Sequence, residues 1–171
     1  MQNHFELFHL APQFALDMSA LDAAYREVQN RVHPDKFVSA SDAEKRVAMQ
    51  WATRANEAYQ TLKNPLKRAA YLCELNGADL RTESNTAMPM AFLMQQMEWR
   101  EALEDARMQK DVAALELLEL QLHQQRAALL TQINAVLDSG DYHQAAQDVR
   151  QLMFLEKFGE DVSFAFEASE V

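Results

Sequence analysis

Three glycines (Gly77, Gly140, Gly159) and four prolines (Pro12, Pro34, Pro65, Pro89) are all the helix-breaking punctuation in 171 residues. Between them apolar side chains return every third or fourth position, the period of a helix and not of a strand, so the expected fold class is all-α. Leu21, Ala24, Tyr25, Val28 and Val32 form one stripe. It ends near Val32, because a residue that precedes proline, here His33, is pushed out of the helical region. Ser41 to Glu44 reads as a capping box, in which hydroxyl and carboxylate each satisfy a backbone donor. It opens a helix with the stripe Val47, Trp51, Ala55, Ala58 and Leu62. Asn64-Pro65 restarts the chain, since proline at a first helical position loses no bond. Leu66, Ala69 and Leu72 or Cys73 carry the short helix toward Gly77.

Residues 1–76 are thus expected to form one small domain. The polar stretch 77–88 reads as a linker and 89–171 as a three-helix bundle. Its first helix starts near Pro89, with a break near Gln109 to Asp111. Leu115, Leu118, Leu122, Leu129, Ile133 and Val136 line the second helix, which stops at Ser139-Gly140. Asp141 caps a return helix with Tyr142, Ala145, Val149 and Leu152 inward, antiparallel to it because the turn is short. The acidic end, Gly159 to Val171, is expected to fray.

With 49 % apolar and 25 % charged residues, the chain can bury a core without metal or disulfide. Its one cysteine, Cys73, closes no intrachain disulfide and cannot build a Cys-rich zinc site, so a reducing, cytoplasmic setting is expected. No apolar run approaches about 18 residues, and Met1 to Phe8 lacks a basic segment ahead of an apolar one. Neither a membrane anchor nor a signal peptide is expected. The formal net charge of −10 is unevenly placed: residues 1–76 carry nine acidic and nine basic side chains, and residues 77–171 carry seventeen and seven. That balance excludes nucleic acid held by general electrostatics and favours a protein partner with basic patches.

Catalytic constellations are missing from the sequence. The five histidines are scattered, and it has no His-Glu-x-x-His, no Gly-rich phosphate loop and no Gly-x-Ser-x-Gly elbow. His33 and Asp35 offer two metal ligands without obvious companions, so neither metal nor cofactor is expected. What stands out is His33-Pro34-Asp35, followed by Lys36 and Phe37, in a loop between two amphipathic helices. Proline stiffens the backbone and the Asp35 carboxylate can accept a guanidinium fork, while Arg26, Arg31 and Lys36 flank it as a basic collar. In isolation such a tripeptide reads first as a solvated turn that merely ends one helix.

Its surroundings resemble a J-domain. Phe5 to Phe8 precede a helix ending Tyr25-Arg-Glu-Val-Gln-Asn-Arg-Val, then comes the His33-Pro34-Asp35-Lys36-Phe37 loop, then a helix running to Ala55-Asn-Glu-Ala-Tyr59-Gln-Thr-Leu62. Asn64-Pro-Leu-Lys-Arg-Ala-Ala-Tyr-Leu72 and Ala91-Phe-Leu-Met-Gln-Gln-Met-Glu-Trp-Arg100 narrow the resemblance to the HscB branch, J-type co-chaperones of iron–sulfur cluster assembly, over residues 1 to about 158. The resemblance implies an N-terminal J-domain, a helical hairpin with a His-Pro-Asp loop, joined in an L shape to a C-terminal three-helix bundle. It implies that His33, Pro34 and Asp35 stimulate ATP hydrolysis by a DnaK-type chaperone, HscA, while the acidic bundle carries the scaffold protein IscU to it. The chain itself would be no enzyme.

Periodicity adds an independent reading of the bundle's first helix. At about 100° per residue, Trp99, Leu103 and Ala106 fall within about 40° of Phe92 and make a core stripe. Met90, Leu93, Met94 and Met97 centre roughly 150° away, among Glu101, Glu104 and Asp105, so a second apolar face shades into acid. On the return helix Phe154 lies about 180° from Ala145, off the inward stripe. Adaptable Met beside an aromatic suits a protein-binding surface, although a helix covered on both sides would show the same pattern. The HscB resemblance places Leu93, Met94, Met97, Glu98, Glu101, Asp105 and Phe154 on the family's IscU-binding positions, with Met97 where Leu is more usual. Trp99 and Cys73 read as core, Tyr59 as packing.

The chain lacks the N-terminal pair of Cys-x-x-Cys motifs of eukaryotic relatives, which implies a bacterial-type protein without structural zinc. It also lacks Gly/Phe-rich and zinc-finger regions, which disfavours a general holder of unfolded clients. Three rival readings remain open on sequence: a J-protein serving DnaK, a helical adaptor with an incidental turn, and a metal enzyme at His33 and Asp35.

Overall fold

Proline 34 cannot follow a helical residue, and the chain obeys: helix α2, Met18–Val32, ends one residue before His33, which is extended at φ −60°, ψ 135°. The computed structural model describes residues 2–80 and 88–170, all of it helix, turn and loop, without strand, among the described residues. The chain divides into two compact units, Met1–Leu72 and Cys73–Val171.

The first unit holds α1 (His4–Leu7), α2, a 3-10 turn (Pro34–Phe37), α3 (Asp42–Lys63) and most of α4 (Pro65–Leu75). Asp17 caps α2 by accepting the N–H groups of Ser19 and Ala20. Ser41 accepts the N–H of Glu44 at 3.1 Å, so the hydroxyl half of the expected capping box forms. A complete box closes α1 instead, between Asn3 and Glu6. α2 and α3 are clamped near the hairpin's middle. Tyr59 donates its hydroxyl proton to Asp22 Oδ1 at 2.7 Å, and its ring stacks on Tyr25 with centroids 4.2 Å apart. The buried guanidinium of Arg68 donates to the Leu62 carbonyl at 2.7 Å, satisfying one of the acceptors left open at the end of α3. The His4 ring stacks on Tyr71 at 4.3 Å, and its burial holds its pKa below the ordinary value.

The stripe expected along α3 holds only in its second half. Ala55, Ala58 and Leu62 are buried, together with Ala48, whereas Val47 and Trp51 are exposed. Val47 and Trp51 border an open hollow beside the end of α2, with Val32 and Phe37 on its other walls.

The second unit is the bundle α5 (Met90–Gln109), α6 (Val112–Asp138) and α7 (Tyr142–Ser169). Residues 81–87 of the expected linker lie outside the described residues. Lys110, left-handed at φ 50°, and Asp111, which accepts the N–H of Ala114, make the first turn. Gly140, at φ 81°, and Asp141, which accepts the N–H of Gln144, make the second. Leu115, Leu118, Leu122, Leu129 and Ile133 are buried as expected, with Leu137 rather than Val136 ending the stripe. Buried Asp148 is satisfied by amide N–H donors from Gln132 and Gln144, each at 3.0 Å. Cys73 is fully buried, and that burial pushes its thiol pKa up to about 11.

The expectation of a frayed end is overturned. α7 runs unbroken to Ser169, because Phe158, Val162 and Ala165 continue its inward stripe and are all buried. Gly159 lies where a Cβ would stand 3.2 Å from Leu122 Cδ2, so the missing side chain serves a close approach of α6 and α7 and does not break the helix.

Val162→Asp is therefore expected to cost about 3 kcal/mol or more in bundle stability, measured by denaturant unfolding, where a frayed tail would tolerate it. His4 predicts a pH effect. Above about pH 6.5 the ring is neutral folded or unfolded; below it the unfolded chain takes up a proton that the folded ring resists, so stability declines as pH falls. Unfolding of wild type and His4→Gln between about pH 7.5 and 5.5 should show the smaller decline in the variant.

Candidate functional site

Two surfaces, one on each unit, collect the residues singled out by sequence. On the first, His33 serves as the N-cap of the 3-10 turn: the Asp35 N–H donates to His33 Nδ1 at 3.2 Å, and the Lys36 N–H to the His33 carbonyl at 2.9 Å. Pro34 fills the first position of that turn, where its missing N–H costs no bond. With Nδ1 accepting, the ring proton resides on Nε2. The Asp35 side chain is 89 % exposed, and its Oδ2 lies 3.6 Å from the His33 ring. Among the described residues no other charged group pairs with this carboxylate.

The basic collar is less continuous than expected. Lys36 lies in the turn itself, but Arg26 and Arg31 are about 140° apart around α2. The Arg26 Nε–H donates to the Asp22 carbonyl at 3.4 Å, and Arg31 pairs with Glu27 one turn back. Both arginines are exposed, and such surface pairing contributes little, so their guanidinium groups remain available. Among the described residues, His33 and Asp35 have no third His, Cys, Asp or Glu with which to hold a metal ion.

On the second surface, α5 presents two faces. Phe92, Trp99, Leu103 and Ala106 are buried as the periodicity requires. Trp99 packs on Phe158 with centroids 5.5 Å apart, and Phe92 meets Phe154 edge-on at 6.4 Å. The opposite side is open. Met97 is 64 % exposed and Met94 55 %, and Met90 and Leu93 are exposed with them, so this helix is not covered on both sides. Glu98, Glu101 and Asp105 share that sector, all exposed, and among the described residues none of them is in an ion pair. Phe154 is 46 % exposed at the α5–α7 seam, held there by Phe92. The structure thus brings Leu93, Met94, Met97, Glu98, Glu101 and Asp105 onto one side of one helix, and sets Phe154 beside its first turn.

Sequence reading missed Gln96. Its side chain is buried on the core stripe between Phe92 and Trp99, with neither amide atom bonded to another described residue. Its place on the wheel, about 40° from Phe92, was the available signal.

Residues 88–163 match the family model described as the HSCB C-terminal oligomerisation domain. The chain is 57 % identical over 168 residues to the Burkholderia multivorans protein named co-chaperone protein HscB homolog, covering 98 % of this chain and 96 % of that one. Its fold is similar to the chaperone HscB from Vibrio cholerae, at TM-score 0.84 and 38 % identity over 97 % of this chain and 98 % of that one. It is also similar to human co-chaperone protein HscB, at TM-score 0.89 and 26 % identity, covering 96 % and 82 % of the two chains.

The two faces of α5 separate in a stability measurement. Phe92→Ala should cost about 3 kcal/mol or more, as buried aromatic truncations do, whereas Leu93→Ala with Met97→Ala should stay within about 1 kcal/mol of wild type in denaturant unfolding.

Proposed function

This chain belongs to the HscB co-chaperone family, and we propose that it binds the iron–sulfur scaffold protein IscU, delivers it to the DnaK-type chaperone HscA and stimulates ATP hydrolysis there. The observation that carries the chaperone half is the His33-Pro34-Asp35 turn, stiffened by its own proline and histidine cap, with the Asp35 carboxylate aimed at solvent. A carboxylate held this way can accept a guanidinium fork at little further cost in ordering. The co-chaperone accelerates its partner by binding more tightly to the hydrolysis-competent state than to the resting one, which shifts that population. Lys36, Arg26 and Arg31 extend the contact to acidic groups around it.

The α5 face supports the cargo half. Leu93, Met94 and Met97 give an apolar, adaptable patch, and Phe154 adds a rigid ring at its edge. Glu98, Glu101 and Asp105 attract a basic counterpart and fix its orientation. The cluster is the cargo's to carry, and this chain supplies grip rather than ligands. Among the described residues no helix is long and apolar enough to cross a membrane.

Steady-state ATPase of HscA tests both halves. Wild type should stimulate hydrolysis, more so with IscU present, and Asp35→Asn should abolish the effect without altering helicity. Normal stimulation by Asp35→Asn would return the tripeptide to being a turn. Leu93→Ala with Met97→Ala should weaken IscU binding by about 1 kcal/mol or more, roughly fivefold, in titration calorimetry. Unchanged affinity would remove the cargo assignment and leave the chaperone contact standing.

A further inference from the structure

The first turns of α3, together with Val38 just after the 3-10 turn, expose a run of apolar side chains that neither surface above uses. Val38 is 72 % exposed and Met49 71 %, with Val47 and Trp51 also open to solvent. They border two hollows, of about 510 Å³ and about 320 Å³, which share Val32, Phe37 and Ala48. A hollow of this size has room for several atoms of a ligand or partner side chain, and contiguous apolar surface of this kind is characteristic of interaction sites. Two features identify the occupant of the larger hollow. Pro34 lines it, so whatever seats there also meets the His33-Pro34-Asp35 turn. Lys45 is the one ionisable residue lining it, so the occupant's complement is an apolar side chain with a carboxylate close by.

We propose that this hollow receives an apolar side chain on an acidic segment of the same DnaK-type chaperone that Asp35 engages, adding a second anchor to the contact. The proposal rests on the chaperone assignment above. Within it the labour is divided: the turn triggers hydrolysis, whereas the hollow sets how much co-chaperone is needed. Met49 and Val38 are the anchoring walls, and Lys45 orients the segment.

The experiment titrates HscA with wild type, Asp35→Asn, Val38→Ser with Met49→Ser, and Lys45→Glu, following steady-state ATPase without IscU. The double variant should raise the half-maximal concentration about tenfold and leave the maximal rate intact. Lys45→Glu should raise it too, and flatten its salt dependence. Melting temperatures should be unmoved, because all three side chains are exposed. If Asp35→Asn loses stimulation and the hollow variants keep the wild-type half-maximal concentration, the hollow plays no part and the chaperone reading stands. If wild type gives no stimulation, both readings fall. If wild type self-associates in sedimentation, and the hollow variants are monomeric yet stimulate normally, the occupant is a second copy of this chain and the proposal is overturned.

Discussion

A single steric exclusion governs the first unit: the ring of Pro34 bars His33 from the helical region. It terminates α2, begins the 3-10 turn and returns the chain along α3. The bond from Tyr59 to Asp22 and the Tyr25–Tyr59 stack hold the hairpin's stem, so the tip inherits its position from a rigid base. His33 has two duties there. As a cap it satisfies the Asp35 N–H, and as an exposed ring it stands beside the Asp35 carboxylate.

Element boundaries were legible in the sequence because they are set by local backbone chemistry. Pro34, Pro65, Asp111, Gly140 and Asp141 act on their nearest neighbours, and each does in the structure what its chemistry demands. Burial was less legible, because a stripe names a face without saying whether anything lies against it. Val47 and Trp51 continue the α3 stripe faithfully and still face water, because the hollow they share with Val32 is left open. The reverse happened at the other end of the chain. Acidic composition and Gly159 suggested fraying, yet Phe158, Val162 and Ala165 keep the inward period and Leu122 needs the space a side chain would take.

On α5 the periodicity carried more, because the two apolar sets are far apart on the wheel. It separated Phe92 and Trp99 from Met94 and Met97, and only the coordinates could say which set was covered. The distinction matters for how such a helix evolves. The inner set is constrained by packing against Phe154 and Phe158, while the outer set can change without threatening the fold.

The one thiol closes the account of what this chain can do in iron–sulfur handling. Thiolate, not thiol, binds iron, opens disulfides and yields readily to peroxide, and a group pushed up to about 11 is almost entirely protonated at neutral pH. Cys73 is also shut inside the protein, out of reach of cluster and oxidant alike. The chain's one thiol is thus withheld from metal and disulfide chemistry, and the sulfur left open to peroxide is the thioether of Met94 and Met97, on the exposed face of α5.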